Sequence, residues 1–177
     1  MINENEIRKL VIEIIERFDK DPAADTGPAG KALAIGSDHG GFELKEKLVP
    51  QMKSLGYDVI NAGCYSKDAV DYPDIAKNVC HDVVSGKAAF GVIIDGAGIG
   101  STMAANKVNG IRAALCYNEK TIINSRAHNN ANVLCLGAAF HSADEAFSLI
   151  KLWLNTNFEG GRHLPRIEKI MKLERAN

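Results

Sequence analysis

The stretch Phe90–Lys107 reads FGVIIDGAGIGSTMAANK and contains the strongest indication of the fold. Its apolar run Val92–Ile94 has strand character and ends in Asp95, and a turn rich in glycine and alanine then leads to a helical pattern over Ser101–Asn106. A glycine-rich turn between a strand and a helix directs backbone N–H groups at one point, which suits a phosphate or a developing oxyanion. Because open α/β sheets bind ligands at the ends of their strands, Asp95 is predicted to lie at the mouth of a ligand site.

The composition is that of one ordinary α/β domain with room for an appendage. The chain has 177 residues, of which 46% are apolar and 24% charged, and its net charge is −1. A net charge this close to zero does not attract nucleic acid or an anionic membrane. The longest apolar runs are far too short to span a membrane. No secretory signal is visible, so we expect a cytoplasmic protein.

The cysteines indicate neither a metal site nor a disulfide framework. They are scattered, without a CxxC pair or a His/Cys cluster of ligand spacing, so we expect buried, reduced thiols and no metal. The four are Cys64, Cys80, Cys116 and Cys135.

The first 30 residues have the pattern of an appendage. Residues 1–20 predict one amphipathic helix, and the stretch 21–30 (DPAADTGPAG) predicts a flexible linker. A lone helix of this length is marginal in water, so its apolar stripe must be covered by the domain, a second copy or a partner. The stripe consists of Ile7, Leu10, Val11, Ile14, Ile15 and Phe18.

Residues 31–177 are predicted to form one domain in which strands and helices alternate, the pattern of a doubly wound parallel sheet. The predicted strands are Ala32–Ile35, Tyr57–Ile60, Phe90–Ile94, Ala113–Cys116 and Asn132–Leu136. The predicted helices lie near Phe42–Leu55, Ile75–Ser85, Ser101–Lys107, Lys120–His128, Ala143–Leu154 and Pro165–Arg175.

Polar residues follow the first predicted strand and are expected near the glycine-rich turn. Asp38 and His39 belong to the loop Gly36–Gly41, and the carboxyl ends of neighbouring parallel strands share one edge of a sheet. We therefore expect both side chains to approach the turn. The alternative is that Asp38 only caps the helix that begins after this loop.

A second group of candidates lies later in the chain. His128 and Asn129 close a predicted helix, where a histidine can also serve as a favourable partner of the helix dipole. Arg162 and Arg166 share a helix face if a helix begins there, and two arginines on one face suit bidentate phosphate binding. The alternative for the two arginines is a solvated basic helix start.

Five ordered motifs between residues 31 and 170 resemble those of the type B ribose-5-phosphate isomerases and their galactose-6-phosphate isomerase relatives. The motifs are SDHGGFELKEKL, DYPDIA, GAGIGSTMAANKVNGIRAALC, HNNANVLCLGA and NTNFEGGRHLPRIEKI. The resemblance implies a Rossmann-like sheet of about five strands, in a homodimer or dimer of dimers whose active sites are shared between protomers. It also implies interconversion of aldose and ketose phosphates, such as ribose 5-phosphate and ribulose 5-phosphate, through a cis-enediol(ate) without metal or organic cofactor.

The resemblance also implies roles by position. His128 would open the sugar ring with Asn129 beside it, and Arg162 and Arg166 would bind phosphate across the dimer interface. Asp38, His39 and Tyr72 are expected to contact the sugar or its phosphate. Gly96, Gly98 and Gly100 are expected to form the anion-binding turn.

The chain departs from the resembled pattern in the half-site that a subunit supplies to itself. Asp95 stands where the usual base is a cysteine, Ser101 where some members carry a glutamate, and Ala97 and Ala139 where a threonine or serine and an arginine are expected. Either Asp95 is the base of an active isomerase, which we favour, or the chain is a partner subunit resembling the A subunit of galactose-6-phosphate isomerase. A third interpretation is a sugar-phosphate-binding assembly protein whose site has decayed.

Residues 1–20 resemble the encapsulation peptides of bacterial microcompartment enzymes, which are also single amphipathic helices on flexible linkers. The resemblance predicts a shell protein as partner and a location inside a microcompartment. The alternative is an extra structural helix that packs on the domain or between subunits.

Overall fold

The computed structural model describes residues 5, 6, 8, 9 and 32–174. Within these residues, five parallel strands form a sheet of order β2-β1-β3-β5-β4. The strands are β1 (Ala32–Ser37), β2 (Asp58–Asn61), β3 (Phe90–Asp95), β4 (Ala113–Leu115) and β5 (Val133–Gly137). The helices are α1 (Phe42–Ser54), α2 (Tyr72–Val84), α3 (Ile99–Ala105), α4 (Glu119–Ala127), α5 (Ala143–Asn155) and α6 (Leu164–Leu173), the last preceded by a 3-10 turn, Gly161–His163.

Two apolar cores form because the central strands β1, β3 and β5 are buried on both faces. One core packs α1, α4 and α5 against one face of the sheet, and the other packs α2 and α3 against the opposite face. This is the doubly wound α/β architecture, so the predicted fold class is confirmed. The predicted burial of the four cysteines is also confirmed, and burial raises the pKa of Cys80 and of Cys135 to about 12.

The predicted N-terminal helix (residues 1–20) and linker (residues 21–30) lie outside the described residues, apart from four positions. Those four, Asn5, Glu6, Arg8 and Lys9, are helical and exposed. Among the described helices, none combines the length and the apolar character that crossing a membrane requires.

Two helices begin two or three residues earlier than the sequence predicts. α3 begins at Ile99 rather than Ser101, because Gly98 adopts a φ of 80° and completes the change from strand to helix. α2 begins at Tyr72, since Pro73 fits the first turn of a helix, where its missing N–H costs nothing. Both shifts place the first turn of the helix closer to the carboxyl ends of the strands.

Core packing fixes the end of α4, next to His128. Trp153 of α5 is fully buried, its Nε1 donates to Ser125 Oγ at 3.0 Å, and its ring meets Phe90 edge-on with ring centroids 5.3 Å apart. The guanidinium of Arg126 lies 4.8 Å from the ring centroid of Phe90 and 5.3 Å from that of Trp153. Burial lowers the pKa of Arg126 to about 10. These contacts tie α4 to both α5 and β3.

Candidate active site

The carboxylate of Asp95 is enclosed by the glycine-rich turn. Oδ1 accepts hydrogen bonds from the backbone N–H of Ala97 at 2.9 Å and of Gly98, and Oδ2 accepts one from Ser101 N–H at 3.0 Å. The residue is only 6% exposed. Three backbone N–H groups in and just after the turn that the sequence predicts to face a bound anion are therefore donated to the chain's own carboxylate.

Close packing around the turn explains two of its three glycines. A Cβ at Gly98 would lie 2.5 Å from Leu115 Cδ1, and one at Gly100 would lie 2.6 Å from the ring of Tyr72. Gly96 has open space around its Cα. The hydroxyl of Tyr117 donates to the carbonyl of Ala97 at 2.7 Å and closes the turn from the side of β4.

The loop after β1 lies beside this turn, as predicted. A Cβ at Gly40 would lie 3.6 Å from the backbone nitrogen of Gly96, so the two loops meet at the carboxyl edge of the sheet. Asp38 Oδ1 accepts the N–H of Gly41 at 2.9 Å within the turn that leads into α1, but α1 itself has no side-chain cap, so the structure does not give Asp38 the capping role. His39 is exposed, and its Nδ1 accepts the N–H of Val70 at 3.3 Å.

Lys45 supports this edge and was missed by the sequence reasoning. It is a fully buried lysine, and its Nζ donates to the carbonyl of Cys64 at 2.6 Å and to Asn61 Oδ1 at 3.0 Å. Its carboxylate partner is Glu46, at 3.1 Å. A charged group at an apolar helix position of α1 was the available signal, because lysine is almost never fully buried without partners.

The second group of predicted residues lines one cavity of about 370 Å³. The cavity contains all four candidates of this group. It adds His163, which belongs to the same basic stretch as the two arginines, and Asn124, which the sequence did not indicate. The lining residues are Asn124, His128, Asn129, Arg162, His163 and Arg166. Arg162 belongs to the 3-10 turn and Arg166 to α6, so the two guanidinium groups face the same space although the α-helix begins only at Leu164.

His128 lies within a cluster of polar and charged side chains. Its ring stacks on that of His163 with centroids 4.0 Å apart, and its Nε2 lies 3.5 Å from Glu159 Oε2. Burial lowers the pKa of His128, as do the neighbouring His163 and Arg162, whereas Glu159 opposes them. The neutral imidazole is therefore favoured over the imidazolium at neutral pH.

Among the described residues, one group has enough possible donors close together for a metal ion: His128, Glu159 and His163, whose donor atoms lie within 4.8 Å of one another. The two imidazole planes are only 13° from parallel, so their in-plane lone pairs do not converge on one ion. Arg162 Nε also lies 3.4 Å from His163 Nε2, so that nitrogen already accepts a hydrogen bond from a cation. This cluster does not fit a metal.

The two groups of candidates lie at opposite ends of the strands, one at the carboxyl ends and the other at the amino ends. Asp95 ends β3 opposite Gly137, the last residue of β5, whereas His128 comes shortly before Val133, the first residue of β5. Since β3 spans Phe90–Asp95, a rise of about 3.3 Å per residue separates the two edges by roughly 17 Å. Within one chain, the turn and the cavity cannot contact the same small sugar.

The doubly wound sheet has an acidic glycine-rich turn at the carboxyl ends of its strands and a cavity of histidines and arginines at the other end. These features define an α/β protein that binds small anionic substrates. The chain belongs to the ribose/galactose isomerase family, whose model matches residues 33–170.

Similar proteins cover almost all of this domain. The chain is 39% identical over 144 residues to ribose-5-phosphate isomerase B of Escherichia coli, covering 81% of this chain and 97% of the relative. The solved structure of Clostridium thermocellum ribose-5-phosphate isomerase B has a TM-score of 0.81 at 43% identity, covering 82% of this chain and 98% of that one. That of the type B ribose 5-phosphate isomerase of Trypanosoma brucei has a TM-score of 0.79 at 40% identity, covering 82% and 99%.

Proposed function

We propose that this chain is a cofactor-independent sugar-phosphate isomerase that interconverts ribose 5-phosphate and ribulose 5-phosphate through a cis-enediol(ate). The observation that carries the proposal is the cavity that unites His128, Asn129, Arg162 and Arg166 in a chain of this family. Two guanidinium groups supply a phosphate site, and an imidazole beside them can exchange a proton with a sugar oxygen during ring opening. The similar proteins named ribose-5-phosphate isomerase B support the pentose phosphate as substrate.

For the proton transfer between C1 and C2 we propose Asp95 as the base. Its Oδ2 accepts one backbone N–H, from Ser101, and an ionised carboxylate oxygen has a second lone pair for a substrate proton. Asp38, His39 and Tyr72 lie on the adjoining loop and helix start, where they would contact the sugar. The turn would stabilise an enediolate through whichever of its N–H groups remain free of Asp95.

We further propose that each active site combines the carboxyl edge of one chain with the cavity of another. The separation of Asp95 from His128 within one chain supports this, because neither edge alone holds both a base and a phosphate site. The simplest assembly is a twofold symmetric homodimer with two equivalent sites, and a tetramer would pair two such dimers.

Mixing two inactive variants tests this arrangement. Asp95→Asn and His128→Gln are purified separately, then mixed, dissociated and reassociated. In a mixed dimer one site carries both substitutions and the other carries neither, so random pairing is expected to restore about a quarter of the unmodified activity. Absence of any recovery, with mixed dimers demonstrated by native mass spectrometry, would contradict shared sites.

The identity of the base is tested by Asp95→Cys beside Asp95→Asn. If Asp95 is the base, the asparagine variant loses about 100-fold or more in kcat. The cysteine variant should retain activity, with the acid limb of its pH profile moved toward the ordinary thiol range. Equal kcat for the asparagine variant and the unmodified chain would remove Asp95 from this role.

The partner-subunit function is a second candidate, favoured by the three backbone N–H groups that Asp95 occupies and by Ala139, which has no guanidinium. In that case the chain donates His128, Arg162 and Arg166 to a relative with a complete turn. The purified chain would then isomerise no sugar phosphate alone, and addition of a cysteine-bearing relative would restore activity. Isomerisation by the chain alone contradicts this candidate.

For residues 1–20 we propose a targeting role in a bacterial microcompartment, with a shell protein as the partner. The support is the apolar stripe and the linker of residues 21–30, since an amphipathic helix on a flexible tether can dock into an apolar groove. Residues 1–30 are fused to a fluorescent protein and expressed with and without shell proteins. Foci that depend on the shell support targeting, and a diffuse signal in shell-producing cells contradicts it.

A further inference from the structure

Asn124 lies one helical turn before His128 on α4 and contacts its imidazole. Asn124 Nδ2 is 3.2 Å from His128 Nδ1, and Asn124 Oδ1 accepts a hydrogen bond of 3.0 Å from Asn129 Nδ2. Because Asn129 occupies the carbonyl oxygen of Asn124, the amide group of Asn124 is the side that faces the ring. His128 Nδ1 must therefore accept the hydrogen bond, and it carries no proton.

A neutral imidazole without a proton on Nδ1 carries it on Nε2. His128 Nε2 and His163 Nε2 each lie 3.5 Å from Glu159 Oε2, and His128 lines the cavity together with Arg162 and Arg166. The proton thus lies on the side of the ring where an acceptor is present and where a ligand's oxygen could replace it. The hydrogen bond from Asn124 fixes this tautomer, and the negative charge of Glu159 near Nε2 favours it.

We propose that Asn124 is a positioning residue that holds His128 in its neutral Nε2–H tautomer, so that the imidazole presents a hydrogen-bond donor to a sugar oxygen. The consequence for catalysis rests on the proposed isomerase function, whereas the tautomer itself does not. The sequence gives no family motif for Asn124, and its role follows from the hydrogen-bond chain Asn129–Asn124–His128.

The tautomer matters because the ring is uncharged at neutral pH. The charged and titratable groups around His128 are Glu159 and the cavity residues Arg162, His163 and Arg166. Burial, His163 and Arg162 lower the pKa of His128, and Glu159 only partly opposes them. An imidazolium carries protons on both nitrogens, whereas a neutral imidazole carries only one. The hydrogen bond from Asn124 to Nδ1 places that proton on Nε2.

The tautomer is measured directly by two-dimensional ¹⁵N–¹H NMR of the imidazole nitrogens in the full chain without substrate. His128→Gln assigns the signal, since the chain has five histidines. The expected result is a protonated Nε2 and an unprotonated Nδ1 in the unmodified chain at neutral pH. Asn124→Asp should move the proton to Nδ1, because a carboxylate there can only accept. Asn124→Leu is the control that removes the hydrogen bond without reversing its direction.

Activity provides the second measurement. At neutral pH, Asn124→Asp should lower kcat by about tenfold or more, and Asn124→Leu should lower it by less. The loss in Asn124→Asp should shrink as the pH falls, because the imidazolium regains a proton on Nε2 and the new carboxylate favours the imidazolium. A merely structural role for Asn124 would lower the activity equally at all pH values.

The outcomes separate this inference from the proposed function. A proton on Nδ1 in the unmodified chain, or an unchanged tautomer in Asn124→Asp, overturns the role of Asn124 whatever the activity. The expected tautomers in a chain that isomerises no sugar phosphate would support the role of Asn124 and contradict the isomerase proposal for the chain alone.

Discussion

Asp95→Asn is expected to destabilise the domain independently of any effect on catalysis. Asparagine keeps one oxygen, which can still accept from Ala97 and Gly98, but it places an N–H₂ group against the N–H of Ser101. Loss of a hydrogen bond to a charged group costs about 1.5–3 kcal/mol, and the buried N–H left without an acceptor adds to that cost. We therefore expect the free energy of unfolding to fall by about 2–4 kcal/mol, a large part of the total for a domain.

The assay is equilibrium urea unfolding at pH 7 and one fixed protein concentration, because association would otherwise change the apparent stability. Asp38→Asn is the matched control. Asp38 also follows a strand and accepts one N–H, that of Gly41, but it is less buried and keeps its accepting oxygen as asparagine. We expect the control to lose less than about 1 kcal/mol. Equal unfolding midpoints for the two variants would refute the reasoning that the turn is built around the Asp95 carboxylate.

Three further predictions follow from the packing and the pKa values. Gly98→Ala should lower the free energy of unfolding by at least about 2 kcal/mol, because its φ is 80° and its Cβ would meet side chain and backbone within about 3 Å. Gly96→Ala, with open space, should lie within about 0.5 kcal/mol of the unmodified chain, and similar urea midpoints for both variants would argue against the close packing. Since the folded state lowers the pKa of His128, its contribution to stability is present above the ordinary value and lost as the pH falls below about 6.5. His128→Gln should flatten this part of a pH–stability curve, and an unchanged curve would contradict it. Cys80 and Cys135 should resist alkylation at pH 8 in the native state and react after unfolding, as followed by mass spectrometry, and rapid native labelling would show that the cores open.

The alternation of apolar runs predicted the sheet because each strand and helix must bury its own apolar face. The runs Val92–Ile94 and Val133–Leu136 are apolar throughout, which is typical of strands buried on both faces, and both proved central. Helix starts were less predictable. The start of α3 depends on the backbone angle of Gly98, which composition alone does not specify.

The site was predictable as far as residue type and order determine it. The sequence selected four of the six residues that line the cavity, His128, Asn129, Arg162 and Arg166, and the structure brings them together. It could not show that Asp95 turns its oxygens back into its own turn, because that depends on three backbone N–H vectors rather than on any residue type.

Asn124 was missed for a related reason, and His163, although it lies in the basic stretch with Arg162 and Arg166, was given no role of its own. An asparagine in a helix and a histidine beside an arginine are both common on protein surfaces. Neither residue type indicates from the sequence which side chain it will contact. Their importance comes from direct contacts with His128, one through a hydrogen bond and one through a stacked ring. Spacing offered one signal for Asn124, since residues four apart on a helix are neighbours.

The placement of Asp95 and His128 at opposite edges of one sheet has a consequence for how such chains can change over generations. Substitutions at one edge leave the packing at the other intact, so after a gene duplication each copy could lose a different half and the pair would still be kept by selection.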